Sequence, residues 1–120
     1  MGYVSMTQNK RTTGSHYEKQ VAAFLKQNGL EILEQNFRCR SGEIDLIAKD
    51  DDYLVFIEVK YRKEKGYGTA LEAIDQKKAL QVRRIAGIYL YQNHYPEDTP
   101  CRFDAAGIDD DQITYIKNAF

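Results

Sequence analysis

Asp45, Glu58 and Lys60 are the residues whose types and spacing are best suited to act together chemically. They lie in two mostly apolar stretches, Gly42-Glu43-Ile44-Asp45-Leu46-Ile47-Ala48 and Val55-Phe56-Ile57-Glu58-Val59-Lys60. Each stretch reads as a β-strand that carries charge where a buried strand should carry none. The polar segment Lys49-Asp50-Asp51-Asp52-Tyr53 between them predicts an antiparallel hairpin. If Asp51-Asp52 form a two-residue loop, Asp50 pairs with Tyr53. Counting outward then sets Asp45 opposite Glu58 and Glu43 opposite Lys60. Opposed side chains on one face have Cβ atoms about 5 Å apart, and like charges there are destabilising. A divalent cation would neutralise such a pair. Two carboxylates are hard oxygen ligands suited to Mg²⁺ or Mn²⁺, which keep several waters and also accept a phosphate oxygen. Such an ion acidifies water and offsets charge developing on a phosphate. Lys60, on the same strand face as Glu58, could orient or deprotonate the attacking water if its pKa were depressed, or stabilise the transition state if protonated. The sequence leaves both roles open.

The elements that must position these residues follow from pattern. A first helix is predicted from His16 to Asn28, opened by the capping-box pattern Ser15-His16-Tyr17-Glu18 and closed at Gly29. Tyr17, Val21, Phe24 and Leu25 form its apolar stripe. Glu18 borders that stripe and is either the cap's carboxylate or one aimed at the strand pair. Residues 1–14 are polar and aperiodic and read as a disordered tail, leaving 15–120 as one domain. Leu30 to Arg40 reads as a first strand, turning at Ser41-Gly42 into the hairpin. In the third strand Val55, Ile57 and Val59 face one way and Leu54, Phe56, Glu58 and Lys60 the other, which predicts burial on both sides.

The loop Tyr61-Arg62-Lys63-Glu64-Lys65-Gly66-Tyr67-Gly68 is basic and interleaved with tyrosines. It is either a solvated loop or one that contacts phosphates and stacks on bases. A second helix, from Thr69 to about Tyr91, buries Leu71, Ile74, Val82, Ile85 and Tyr89. Lys78 falls on that stripe and either snorkels to the edge or reaches over the sheet towards an anion. Lys77, Arg83 and Arg84 make this the most basic element. His94 reads as a loop residue. Cys101–Ile108 is a fourth strand, and the long helix before it implies parallel pairing with the third. Gln112–Lys117 is a fifth strand. The order is α-β-β-β-α-β-β, an α/β fold with one mixed sheet flanked by helices.

Composition narrows the function classes. The chain has 120 residues, is 42% hydrophobic and 29% charged, and carries a net charge of −1. Nucleic-acid binding would therefore rest on a local patch, not on global basicity. No apolar run approaches the roughly 18 residues of a membrane span. Met1-Gly2-Tyr3-Val4-Ser5-Met6 lacks the pattern of a secretory signal, so a cytoplasmic location with no membrane partner is expected. Cys39 and Cys101 read as buried free thiols. The Asp triplets at 50–52 and 109–111 lack EF-hand spacing and are explained by turn chemistry.

Asp45 followed across a hairpin by Glu58-Val59-Lys60 resembles the PD-(D/E)xK nuclease signature. With Gly14 and Glu18, Asn36, the full Gly42–Ala48 and Phe56–Lys60 stretches, Lys78, and Arg102-Phe103-Asp104, the chain resembles the small bacterial YraN-like family from about Gly14 to Ile116. That family has a fold similar to archaeal Holliday-junction resolvases and other restriction-endonuclease-like enzymes. The resemblance implies Asp45 and Glu58 as metal ligands, Lys60 as the catalytic lysine, and Glu18 as the acidic residue from the first helix. Ile44 stands where the signature has proline, a position at which proline is often missing in this superfamily.

The resemblance further implies a Mg²⁺- or Mn²⁺-dependent endonuclease acting on branched or structured DNA, as a homodimer. Arg62, Lys63, Lys65, Lys77, Lys78 and Arg84 would contact the nucleic acid. A binding module that does not cleave, and a protein-interaction domain with its carboxylates held by internal salt bridges, are the alternatives. Arg102 and Asp104 fit an internal ion pair and a substrate contact equally well.

Overall fold

The computed structural model describes residues 6–62, 76–109 and 112–120. Its elements are α1 (Met6–Gln27), β1 (Glu31–Cys39), β2 (Gly42–Asp50), β3 (Tyr53–Arg62), α2 (Gln76–Gln92), β4 (Cys101–Asp109) and β5 (Gln112–Ile116). The strands form one sheet in the order β1-β2-β3-β4-β5. β3 and β4 are parallel; the other neighbours are antiparallel. This is the mixed-sheet α-β-β-β-α-β-β architecture that the pattern predicts.

The two helices cover opposite faces of the sheet. Val21, Ala22 and Leu25 of α1 pack with Leu46, Ala48, Val55, Ile57, Ala106 and Ile108. Val82, Ile85, Ala86 and Tyr89 of α2 pack with Ile44, Ile47, Leu54 and Phe56. Alternation along β3 produces this division, since Leu54 and Phe56 face α2 while Val55 and Ile57 face α1. All four are buried, as expected for a strand covered on both sides.

Helix ends follow local chemistry at their C-termini. Gly29 takes φ 90° after α1, and the Leu30 N–H donates to the Leu25 carbonyl at 3.0 Å, a Schellman closure. α2 ends likewise: His94 takes φ 62° and the Tyr95 N–H reaches the Leu90 carbonyl at 2.9 Å. His94 is thus the residue that turns the chain out of the helix. The start of α1 differs from the capping-box reading. The helix begins at Met6, not His16, so Ser15 lies inside it. Residues 6–14 contain no proline to block extension, and a cap preference of about 1 kcal/mol does not by itself start a helix. The Thr69 capping box, Lys63 and Lys65 lie outside the described residues.

The hairpin forms in the expected register. Asp50 pairs with Tyr53, with Asp51 at φ 54°, and the ladder runs through Lys49↔Leu54, Ala48↔Val55 and Ile47↔Phe56 to Leu46↔Ile57. There it stops, at the rung before Asp45 and Glu58. Glu43 is engaged on the other side, where its Oε1 lies 3.0 Å from Arg38 Nε of β1, not by Lys60. Gly42 has φ 132°, a backbone conformation that residues with a Cβ rarely adopt, so the turn into β2 favours glycine.

Candidate active site

Asp45 sits where β2 breaks its alternation. Ile44 packs towards α2, whereas Leu46, two residues on, packs towards α1. An undisturbed strand would send both the same way. The opposite position on β1 is Asn36, between the pairs Gln35↔Leu46 and Phe37↔Ile44. Asn36 takes φ 56°, a left-handed conformation that asparagine tolerates better than other non-glycine residues. Both strands are therefore irregular at one rung. There the Asp45 carboxylate replaces a backbone acceptor: its Oδ2 accepts the Val59 N–H of β3 at 2.8 Å. The side chain is fixed by the sheet it interrupts.

Carboxylates meet Asp45 from both sides. Glu18 of α1 shares a hydrogen bond with Asp45 and accepts one from Asn36. Glu58, on the α2-facing side of β3, is 4% exposed. Its Oε2 lies 3.4 Å from Lys78 Nζ of α2 and 3.8 Å from Lys60 Nζ. Lys78 thus reaches over the sheet to an anion, and that anion is Glu58. The three acids form a row across the sheet from one helix to the other.

The electrostatics of the row are unfavourable for three charges. Burial first, then the Asp45 charge, pushes Glu58 up to about 7, although Lys78 and Lys60 pull the other way. Burial and Asp45 also push Glu18 up to about 7, against the hydrogen bond from Asn36. Burial raises Asp45 as well, opposed by the Val59 N–H. Perturbation of this kind clusters at functional sites. Among the described residues, no three His, Cys, Asp or Glu side chains converge as a ready-made metal cage. Asp45 and Glu58 nevertheless form a donor set of hard oxygens whose mutual repulsion a divalent cation would relieve. Mg²⁺ commonly binds through one or two carboxylates and completes its shell with water and phosphate.

The basic residues divide. Lys77 and Arg84 are exposed and, with Lys78, Ser41, Leu80 and Gln81, line an open groove of about 490 Å³ beside Glu58. Arg83 is used internally: its guanidinium lies 4.4 Å from the Phe103 ring centre and donates to the Phe120 carbonyl at 2.7 Å. Arg102 and Asp104 form the internal ion pair, not a surface contact. Arg102 Nε lies 3.1 Å from both Asp104 oxygens, and Arg102 Nη1 lies 2.9 Å from Asp50 Oδ2. Asp104, fully buried, also accepts from the Tyr115 hydroxyl and from the Asn118 N–H at 3.0 Å. Cys39 and Cys101 are free and half-buried.

Asn36 enters the family resemblance without a role attached to it. Its one local signal is that asparagine is disfavoured within a strand. Tyr17 and Tyr61 stack beside the row, with ring centres 4.3 Å apart and planes at 25°. Nothing local couples two residues so far apart in sequence. Among the described residues, no helix is long and apolar enough to cross a membrane.

Comparison with known proteins identifies relatives that span almost the whole chain. The chain is 45% identical over 112 residues to a UPF0102 protein of Lachnoclostridium phytofermentans, covering 93% of this chain and 95% of that one. It is 46% identical over 118 residues to a UPF0102 protein of Nitrosomonas eutropha, covering 98% and 97%, and 41% identical over 120 residues to one from Alcanivorax borkumensis, covering 96% of each. The model of the Uncharacterised protein family UPF0102 matches residues 17–108, a span that contains Glu18, Asn36, Asp45, Glu58, Lys60 and Lys78 and ends at the last core residue of β4. The chain belongs to the Uncharacterised protein family UPF0102.

Proposed function

We propose that the protein is a divalent-metal-dependent endonuclease that hydrolyses phosphodiester bonds in DNA, with branched or otherwise structured DNA as the substrate. The observation that carries this reading is the carboxylate row: Asp45 is locked by the Val59 N–H beside a buried Glu58 whose charge two lysines share. Asp45 and Glu58 would hold Mg²⁺ or Mn²⁺, with Glu18 completing the acidic side. When bound, the cation supplies Lewis acidity towards the phosphate and the attacking water.

The chain's own residues do the rest. Lys60, with 34% of its side chain exposed, can meet a water or a phosphate oxygen from the solvent side. Lys78 holds Glu58 in place and offers positive charge at the floor of the groove. Lys77 and Arg84 would take backbone phosphates there, anchoring the strand without reading its sequence. Asp45→Asn or Glu58→Gln is expected to abolish cutting of labelled junction, flap and duplex DNA in Mn²⁺ while leaving folding and DNA binding largely intact. Loss of folding in both variants would make the row structural.

The ion pairs of Glu58 with Lys78 and Lys60 favour one second reading, a protein-interaction domain in which these pairs are internal salt bridges. It predicts unchanged thermal stability on adding Mn²⁺, because a ligand bound only by the native state must raise stability.

A further inference from the structure

We infer that the Tyr17–Tyr61 stack is a base-stacking shelf, and that it directs the enzyme to DNA with an unpaired base next to the phosphate held at Asp45 and Glu58. This rests on the nuclease reading and adds to it the structural class of the substrate.

Tyr17 precedes Glu18 on α1 and packs against the α1-side core. Tyr61 follows Lys60 on β3, and strand alternation sends these two side chains to opposite faces. Lys60 thus accompanies Glu58 on the α2 side while Tyr61 crosses to the α1 side and lies flat on Tyr17. Tyr17 supports the stack from below, and Tyr61 remains 41% exposed. Among the described residues, Tyr17 is the one ring packed against it.

The position of the shelf suits a nucleotide. Tyr61 lies three residues beyond Glu58, roughly 10 Å along the strand. A chain whose phosphate is held at the carboxylates, with its backbone following Lys78, Lys77 and Arg84 on one side, brings a neighbouring base towards Tyr61 on the other. A base inside a continuous duplex has both faces covered by its neighbours and cannot stack on a protein ring. An unpaired base, as at a flap, gap or junction, offers a free face, and aromatic side chains take it without regard to sequence. The shelf therefore selects shape and not sequence.

The test measures binding in EDTA, where no cutting occurs. Wild type, Tyr61→Phe and Tyr61→Leu are titrated with a continuous duplex and with the same duplex carrying a short gap, read by fluorescence anisotropy. 2-Aminopurine in the gap reports stacking directly. Wild type is expected to prefer the gapped DNA and to quench 2-aminopurine. Tyr61→Phe keeps both properties because stacking does not need the hydroxyl. Tyr61→Leu, which retains an apolar contact on Tyr17, loses about tenfold on gapped DNA and little on the duplex. Equal binding of gapped DNA by Tyr61→Leu and wild type, or a wild type with no preference and no quenching, would overturn the shelf and leave the nuclease reading standing. Absence of binding to either DNA by wild type would remove both. Should Tyr61→Leu melt early, quenching by wild type and by Tyr61→Phe decides the matter alone.

Discussion

Glu58→Gln should stabilise the metal-free protein at pH 8 and leave its stability nearly unchanged at pH 5. The Glu58 carboxyl is raised from 4.5 to about 7, chiefly by burial and then by Asp45. The folded state thus binds this proton more tightly than the unfolded chain does. For a carboxyl raised in this way, stability falls as pH climbs from about 4.5 to about 7 and then levels off. Above that window, holding the charge costs the fold about 3 kcal/mol. Glutamine removes the charge at nearly the same volume. The attraction of Lys78 and Lys60 is already inside this figure, since both pull the carboxyl down. What offsets the gain is the buried glutamine amide, whose NH2 group finds no acceptor facing two lysines and costs about 1–2 kcal/mol. The net gain at pH 8 is about 1–2 kcal/mol, or roughly 4–10 °C in Tm. At pH 5 the native Glu58 is already protonated and the substitution is close to neutral. Urea denaturation of both proteins in EDTA at the two pH values measures this directly. A Glu58→Gln protein that is less stable than wild type at pH 8 would overturn this expectation and identify Glu58 as a structural partner of the lysines.

Three further outcomes follow from the same geometry. Asn36→Ala should cost about 1–2 kcal/mol, because alanine resists the left-handed backbone that Asn36 holds at φ 56°, whereas Asn36→Gly should cost less; chemical denaturation separates them. Asp104→Ala should be severe, about 3–5 kcal/mol in the same assay, since it leaves Arg102 buried beside an empty position, and Tyr115→Phe should cost only about 1 kcal/mol. Lys77→Ala and Arg84→Ala should each weaken DNA binding evenly across sequences and lower the slope of log affinity against log salt by about 1, measured by anisotropy over a salt series.

The hairpin register was legible in the sequence because two independent signals agreed: the Asp51-Asp52 turn and the alternation along Val55–Lys60. The burial of β3 on both faces and the parallel β3–β4 pair were legible for similar reasons. Gly29 was legible because a left-handed C′ position favours glycine. The break at Asp45 was not. It depends on Asn36 adopting φ 56° on a neighbouring strand, and no local propensity encodes that choice. The roles of Arg102 and Asp104 were illegible too, because Asp50 lies 52 residues from Arg102, and Tyr115 and Asn118 come from the chain beyond β4. Arg83 looked like one more cation on a basic helix until Phe103 and Phe120 were brought against it. In each case the partner arrives through tertiary packing, which a residue's own neighbourhood does not contain.

In the proposed mechanism a divalent cation occupies the Asp45–Glu58 pair, and this can be measured without knowing the substrate. Wild type, Asp45→Asn and Glu58→Gln would be titrated with Mn²⁺ by calorimetry at pH 8, above the value of about 7 to which Glu58 is raised. Saturable binding by wild type and a loss of at least about tenfold in affinity in each variant are expected. Equal heats in all three proteins, or no binding by wild type, would rule out Asp45 and Glu58 as a metal site.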